Sequence, residues 1–341
     1  MVLIRDSQIF CYFAPKAKYS NFKYIGRKFI MTVLVCGSFA YDNIMVFNDR
    51  FKNHILPDKV HMLNVSFLVP ELRREFGGCA GNIAYNLNLL GGDVKPVGTI
   101  GEDFTPYAKW MDQCGVSREL LKTIDNTFTA QAYITTDLDD NQITAFHPGA
   151  MNEAHTNPIT ATDNVQMGII SPDGRQGMID HSTQFAEANI PFIFDPGQGM
   201  PMFDGDDLLK FIDQATWLTL NDYESQLMQE KTGLTLEKIA ERVEAVIVTL
   251  GGEGSKIYTA SKVIEIEVAK ARKINDPTGC GDAYRGGLMY GMTNKLDWET
   301  SGRIAALLGS MKIEHHGTQN HKITLDEFKD YFKEVYGYSF S

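Results

Sequence analysis

Four apolar runs decide the fold: M-G-I-I-S (167–171), I-P-F-I-F-D (190–195), W-L-T-L-N (217–221) and A-V-I-V-T-L (245–250). Each is short and nearly continuous in apolar residues, the pattern of a strand covered on both faces. The stretches between them can each hold a helix. Alternating βα units build a parallel sheet with helices on both sides. Toward the N terminus, T-V-L-V-C (32–36) reads as another buried strand, ending in a loop at Gly37, and ligands of open α/β sheets sit at such carboxyl ends. Residues 81–90 read as a helix with Ile83, Leu87 and Leu90 on one stripe and Gly91 past its end. Toward the C terminus, 255–268 reads as a strand pair and 282–293 as a helix after a glycine-rich turn. Asp297 then caps a helix to about Ile313, and a last helix starts at Leu325.

Two segments break this rhythm. Between Asn43 and Glu75 no helical period appears, and H-M-L-N-V-S-F-L-V (61–69) alternates loosely, as a half-buried strand does. A hairpin is predicted over 130–146, with Asp139 to Asn141 supplying the turn. Together they predict a small sheet separate from the main one.

Apolar residues make up 43% of the 341-residue chain and charged residues 22%, the balance of a folded globular protein. A formal charge of −11 argues against an extended nucleic-acid or anionic-membrane surface. Five scattered cysteines (Cys11, Cys36, Cys79, Cys114, Cys280) indicate neither a zinc ribbon nor a disulfide framework. With no spanning-length apolar run and no secretory leader pattern, a cytoplasmic location is expected. Residues 1–30 carry six Lys or Arg against one acid, Asp6, so they read as a disordered or non-native extension, with the domain running over 31–335.

The richest chemistry lies in N-D-P-T-G-C-G-D-A-Y-R-G-G (275–287). Gly279 and Gly281 flank a small Cys280, so backbone N–H groups can approach a ligand closely, and the turn opens into a helix N-terminus that favours an anion. Asp282, in that first turn, is stabilised as a carboxylate and can take a hydroxyl proton beside a transferred phosphoryl group. A plain helix start would produce Gly-x-Gly-Asp as well. The full run, however, resembles the C-terminal signature of the ribokinase-like (PfkB) carbohydrate and nucleoside kinases, D-T-x-G-A-G-D. Here Pro277 stands where the family often has Thr, and Cys280 where it usually has Ala. The resemblance implies that Gly279, Cys280 and Gly281 form an anion hole and that Asp282 is the general base.

Further motifs fall in the family's order over roughly residues 32–330. G-S-F-A-Y-D-N (37–43) resembles its first loop, which implies that Asp42 grips the vicinal hydroxyls of a sugar. F-G-G-C-A-G-N-I-A (76–84) resembles G-G-x-x-x-N and implies substrate contacts from Gly77, Gly78 and Asn82. N-D-Y-E (221–224) resembles N-x-x-E, with Asn221 near ATP and Glu224 organising Mg2+ through water. T-L-G-G-E-G-S (249–255) resembles the nucleotide loop, placing Thr249, Gly251 and Gly254 along ATP, with Gly281 beneath its phosphates. His315, His316 and Gly317 match an adenine-side loop, and no metal role is assigned to the two histidines.

The resemblance implies a doubly wound, mostly parallel α/β sheet with a small β-sheet lid from about 43–75 and 130–146. It implies ATP and Mg2+ as co-substrate and cofactor, and a nucleoside such as adenosine phosphorylated at its 5′ hydroxyl. H-P-G-A-M (147–151) and F-D-P-G-Q (194–198) look like the microbial nucleoside-kinase branch, and Phe146, Met151 and Phe39 are expected to supply an apolar or stacking wall for a base. The alternative is a free-sugar kinase of the ribokinase or fructokinase kind. A Rossmann oxidoreductase is more remote, because G-x-G-x-x-G after the first strand is missing. Expected partners are a small-molecule substrate and ATP, with no nucleic acid or membrane. Lid edges in this family can pair between chains, which leaves a homodimer open.

Overall fold

A computed structural model describes residues 32–55, 64–139, 141–160 and 163–341. The 1–30 extension lies outside these residues. The chain runs β1 (Thr32–Cys36), β2 (Ala40–Val46), β3 (Glu71–Gly77), α1 (Cys79–Leu89), β4 (Val94–Ile100), α2 (Thr105–Cys114), β5 (Leu121–Thr123), β6 (Ala130–Thr136) and β7 (Gln142–His147). It continues through β8 (Val165–Ile170), α3 (Arg175–Glu187), β9 (Phe192–Phe194), α4 (Gly205–Gln214), β10 (Trp217–Asn221), α5 (Asp222–Thr232), α6 (Leu236–Ala240) and β11 (Ala245–Thr249). The last elements are β12 (Ser255–Tyr258), β13 (Val263–Ile266), α7 (Cys280–Thr293), α8 (Trp298–Ile313) and α9 (Leu325–Tyr336).

Nine strands form the large sheet in the order β13-β12-β11-β10-β9-β8-β1-β4-β5. It is parallel from β11 to β5, and only β12 and β13 join antiparallel. The continuous apolar strands are explained by cover on both faces. Along β1, Val33 and Val35 share one core with Ile83, Leu288 and Phe328, whereas Leu34 and Cys36 share the other with Phe185, Phe211 and Leu218. The period of two thus assigns alternate residues to opposite helical layers. Strand order reverses between β1 and β8, the place where open α/β sheets leave a crevice.

Four strands form the second sheet, ordered β3-β2-β6-β7. The strand expected within 61–69 is not one of them: residues 61–63 lie outside the described residues, and 64–69 pair with no strand. Their alternating burial is real but has another cause. Phe67 packs against Phe47 and Phe51, with ring centroids 4.8 and 5.1 Å apart, so apolar packing rather than a ladder holds the segment. The strands that do form are β2, beginning three residues before Asn43, and β3, ending two residues after Glu75. The hairpin of β6 and β7 and the strand pair β12 and β13 stand where the sequence places them. Asp297 caps α8, accepting from Thr300 N, while α1 and α7 each start two residues earlier than expected.

Candidate active site

A cleft of about 550 Å³ opens at the carboxyl ends of β1, β8, β9, β10 and β11, with the second sheet along one side. Its floor is the 276–282 loop. Asp276 ties that loop down, with Oδ1 accepting from Thr278 N and Oδ2 from Gly317 N, both at 2.9 Å. Burial works against a charge on Asp276, but these N–H donors hold its carboxyl below the usual carboxylate range. Beneath it the buried Lys312 ammonium donates to the Asp276 carbonyl at 2.7 Å. Gly279 then takes a left-handed φ of 79° as the N-cap of α7, a turn that an L side chain would strain. Gly281 and Asp282 follow in the first helical turn, where backbone N–H groups have no carbonyl within the helix to bind, and both residues line the cleft.

Asp282 accepts a hydrogen bond from Asn82 Nδ2 at 2.8 Å. Burial pushes its carboxyl up to about 6 against the restraint of Asn82 and Arg285, with Asp195 and Asp42 adding to the rise. Asp42 comes from the opposite wall. The ladder places it across from Glu75 and Ala132, and Ala132 across from Phe146, so Asp42, Ala132 and Phe146 share one row on the face that lines the cleft. Burial, then Glu75 and Asp276, also push Asp42 up to about 6. Gly77 in β3 must be bare, because a β-carbon there would stand 2.5 Å from Asp42 Oδ2. Gly78 lines the cleft just before α1. The wall expected from Phe146, Met151 and Phe39 is left to Phe146, since Phe39 is fully buried and Met151 is not among the lining residues.

At the far end, Asn221 caps α5 in a closed capping box. Its Oδ1 accepts from Glu224 N at 2.7 Å, and the two Glu224 oxygens accept from Asn221 N and Nδ2 at 2.8 Å each. Burial and Asp195 raise the Glu224 carboxyl above the ordinary range. Thr249 and Gly251 line this end. Gly254 is not among the lining residues: it sits under the strand pair, where a side chain would run into the Ile266 carbonyl. Cys280 also turns away, with its thiol 4.0 Å from the Asp276 carbonyl and pushed up to about 11 by burial. His315 binds the Met311 carbonyl at 3.1 Å, and Gly317 serves the Asp276 clamp.

Sequence reasoning passed over a buried ion pair in the same cleft. Arg285 donates to both Asp195 oxygens at 2.7 and 2.8 Å, and its side chain and that of Asp195 are 7% and 3% exposed. Burial disfavours the guanidinium, but Asp195 more than restores its charge. Arg285 follows Asp282 by three residues in the same helix, and Asp195 directly follows β9. An acid at the carboxyl end of a parallel strand was the available signal.

Residues 42–325 match the family described as pfkB family carbohydrate kinase. The chain is 50% identical to a nucleoside kinase of Burkholderia thailandensis solved in complex with inosine, with a TM-score of 0.82, covering 90% of this chain and 99% of that one. The same relative has also been solved in complex with ADP-inosine, with a TM-score of 0.80. A nucleoside kinase of Methanocaldococcus jannaschii is 33% identical over 77% of this chain and 87% of its own length. A ribokinase of Lactococcus lactis is 29% identical over 76% of this chain and 86% of its own. With this cleft at the switch point of a doubly wound sheet, the chain belongs to the pfkB family of carbohydrate kinases, in its ribokinase-like nucleoside-kinase branch, and is an ATP-dependent enzyme that phosphorylates a hydroxyl group.

Proposed function

We propose that the protein transfers the γ-phosphoryl group of ATP to the 5′ hydroxyl of a nucleoside such as adenosine, with Asp282 as general base. The observation that carries this reading is the placement of Asp282, bound by Asn82 at a helix N-terminus, in the cleft whose opposite wall presents Asp42 and Phe146. Asp42 binds the ribose diol, and Phe146, half exposed toward solvent, offers a face to the base. Gly77, Gly78 and Asn82 border the sugar, and Asn221, Thr249 and Gly251 border ATP. The β2, β3, β6 and β7 sheet acts as a lid that excludes water from the reacting groups.

In the transfer, Asp282 takes the 5′ O–H proton as the oxygen forms its bond to the γ-phosphorus. The bond to the β–γ bridging oxygen breaks with its electron pair, and ADP leaves carrying that charge. N–H groups of Gly279 and Gly281 meet the charge on the transferred group without having to reorganise, while the Cys280 N–H is taken by the Pro277 carbonyl at 3.2 Å. Magnesium, when bound, neutralises the charge of the nucleotide phosphates. Among the described residues no group of three His, Cys, Asp or Glu is placed to hold a metal. Glu224, whose two oxygens already accept from Asn221, suits a hydrated ion that it orients through water.

A homodimer through the lid is supported by Leu72, Tyr133 and Ile143, 67%, 43% and 44% exposed, which the ladder places on the lid face opposite Asp42. Among the described residues no helix is long and apolar enough to cross a membrane. The deciding experiment is ADP release from ATP and Mg2+ with adenosine, inosine, guanosine, cytidine, ribose and fructose. Turnover confined to nucleosides is expected, and turnover with free sugars alone would replace the nucleoside by a sugar.

A further inference from the structure

Behind the cleft floor, side chains from four separate parts of the chain form a hydrogen-bonded series with a fixed direction. Trp110, on α2, donates its indole N–H to Gln319 Oε1 at 2.9 Å. An indole N–H can only donate, so it selects the carbonyl end of that amide. The Gln319 NH2 therefore points the other way, donating to Asn82 Oδ1 at 2.9 Å and to the Tyr107 hydroxyl at 2.6 Å. Tyr107 is free to accept because its own proton goes to the Gly77 carbonyl at 2.9 Å. With its Oδ1 taken, Asn82 turns its NH2 to Asp282 Oδ2. Reversing the Gln319 amide would oppose donor to donor at Trp110 and acceptor to acceptor at Asn82. Water cannot repair such a mismatch here, since Gln319, Tyr107 and Asn82 are 3%, 0% and 4% exposed.

We propose that Gln319 is a positioning residue for phosphoryl transfer: it fixes the Asn82 amide with its NH2 toward Asp282, and so holds the carboxylate in the orientation that receives the acceptor proton. This rests on the reading of Asp282 as the base. Gln319 is not among the residues lining the cleft, so its effect passes through Asn82 and belongs in kcat rather than in ATP affinity.

The test compares kcat, KM for ATP and nucleoside, and thermal midpoint for the full-length wild type, Gln319→Glu, Gln319→Leu, Trp110→Phe and Asp282→Asn. Gln319→Glu keeps the size and the acceptor for Trp110 but removes the NH2 that faces Asn82. The Gln319 variants are expected to lose roughly ten- to a hundredfold in kcat, with KM for ATP within about twofold of wild type. Trp110→Phe, which keeps an aromatic ring and removes the donor that orients the series, should lose kcat by a smaller factor and tests the idea even if changes at 319 prevent folding. Folded Gln319 and Trp110 variants with wild-type kcat beside an inactive Asp282→Asn would overturn the positioning role and leave the base in place. A rise in KM at unchanged kcat would overturn it too. An active Asp282→Asn would remove the base assignment and the positioning role together.

Discussion

Asp282 must be ionised to accept a proton, and its carboxyl is pushed up to about 6 by burial, against Asn82 and Arg285 and with Asp195 and Asp42. The value of kcat/KM should therefore fall about tenfold per unit of pH below roughly 6, and a kcat/KM profile that stays flat down to about pH 5 would contradict the assignment. A second buried acid affects stability instead. Asp173 Oδ1 accepts from Gly174 N at 2.9 Å while Oδ2 has no partner, and burial pushes the carboxyl up to about 8. Between roughly pH 4 and 8 the folded protein keeps a proton there that the unfolded chain has released, so this contribution is complete in acid and is lost as pH rises through about 8. Asp173→Asn cannot titrate. The unfolding free energy of wild type relative to this variant should drop by about 2 kcal/mol between roughly pH 6 and 8, measured by denaturant titration; an unchanged difference would place the Asp173 carboxyl elsewhere on the scale. Asp282, Gly279 and Asn82 were legible in the sequence because each sits in a short motif with a local reason for its residue type. Arg285 with Asp195, and Gln319 with Asn82, were not, since their partners lie 90 and 237 residues apart and no local pattern records such a meeting.

At the scale of elements, what the sequence showed followed burial. Strands β8 to β11 are covered on both faces and announce themselves as apolar runs. Strand β3, E-L-R-R-E-F-G, is exposed over its first four residues, and β7 is exposed throughout, so neither is forced to alternate. The β7 strand was found only through its turn residues, and β3 was displaced onto the better-patterned 61–69 stretch. Helix α5 shows how a motif can be structural and functional together. Its capping box uses the Asn221 and Glu224 side chains on each other's backbone N–H groups, so the pair proposed to border the nucleotide also starts the helix. Asn221→Ala should cost about 1 kcal/mol in stability and weaken ATP binding at the same time, which thermal unfolding with and without ATP will separate. Loss of stability with ATP affinity intact would restrict Asn221 to capping.

Over the whole molecule, the two sheets divide the work. The large one supplies the glycine loop before α7 and Asp282, and the small one supplies Asp42 and the row through Ala132 to Phe146. The proposed self-association surface lies on the other face of the small sheet. Ile143→Glu would put a charge on the face that carries Leu72 and Tyr133, and light scattering should then report a monomer where the wild type is expected to give a dimer. A wild-type monomer at the same concentration would withdraw that surface. Only Gly37, Ser38 and Phe39 separate β1 of the large sheet from β2 of the small one, so the rim carrying Asp42 is joined to the body carrying Asp282 by a very short strap. In the proposed reading, a ribose held by Asp42 and deprotonated by Asp282 would complete a second link between the same two bodies. The sugar is thus a tether as well as a reactant: a nucleoside stripped of its 2′ and 3′ hydroxyls would leave the enzyme slow to commit to transfer even when every site is filled.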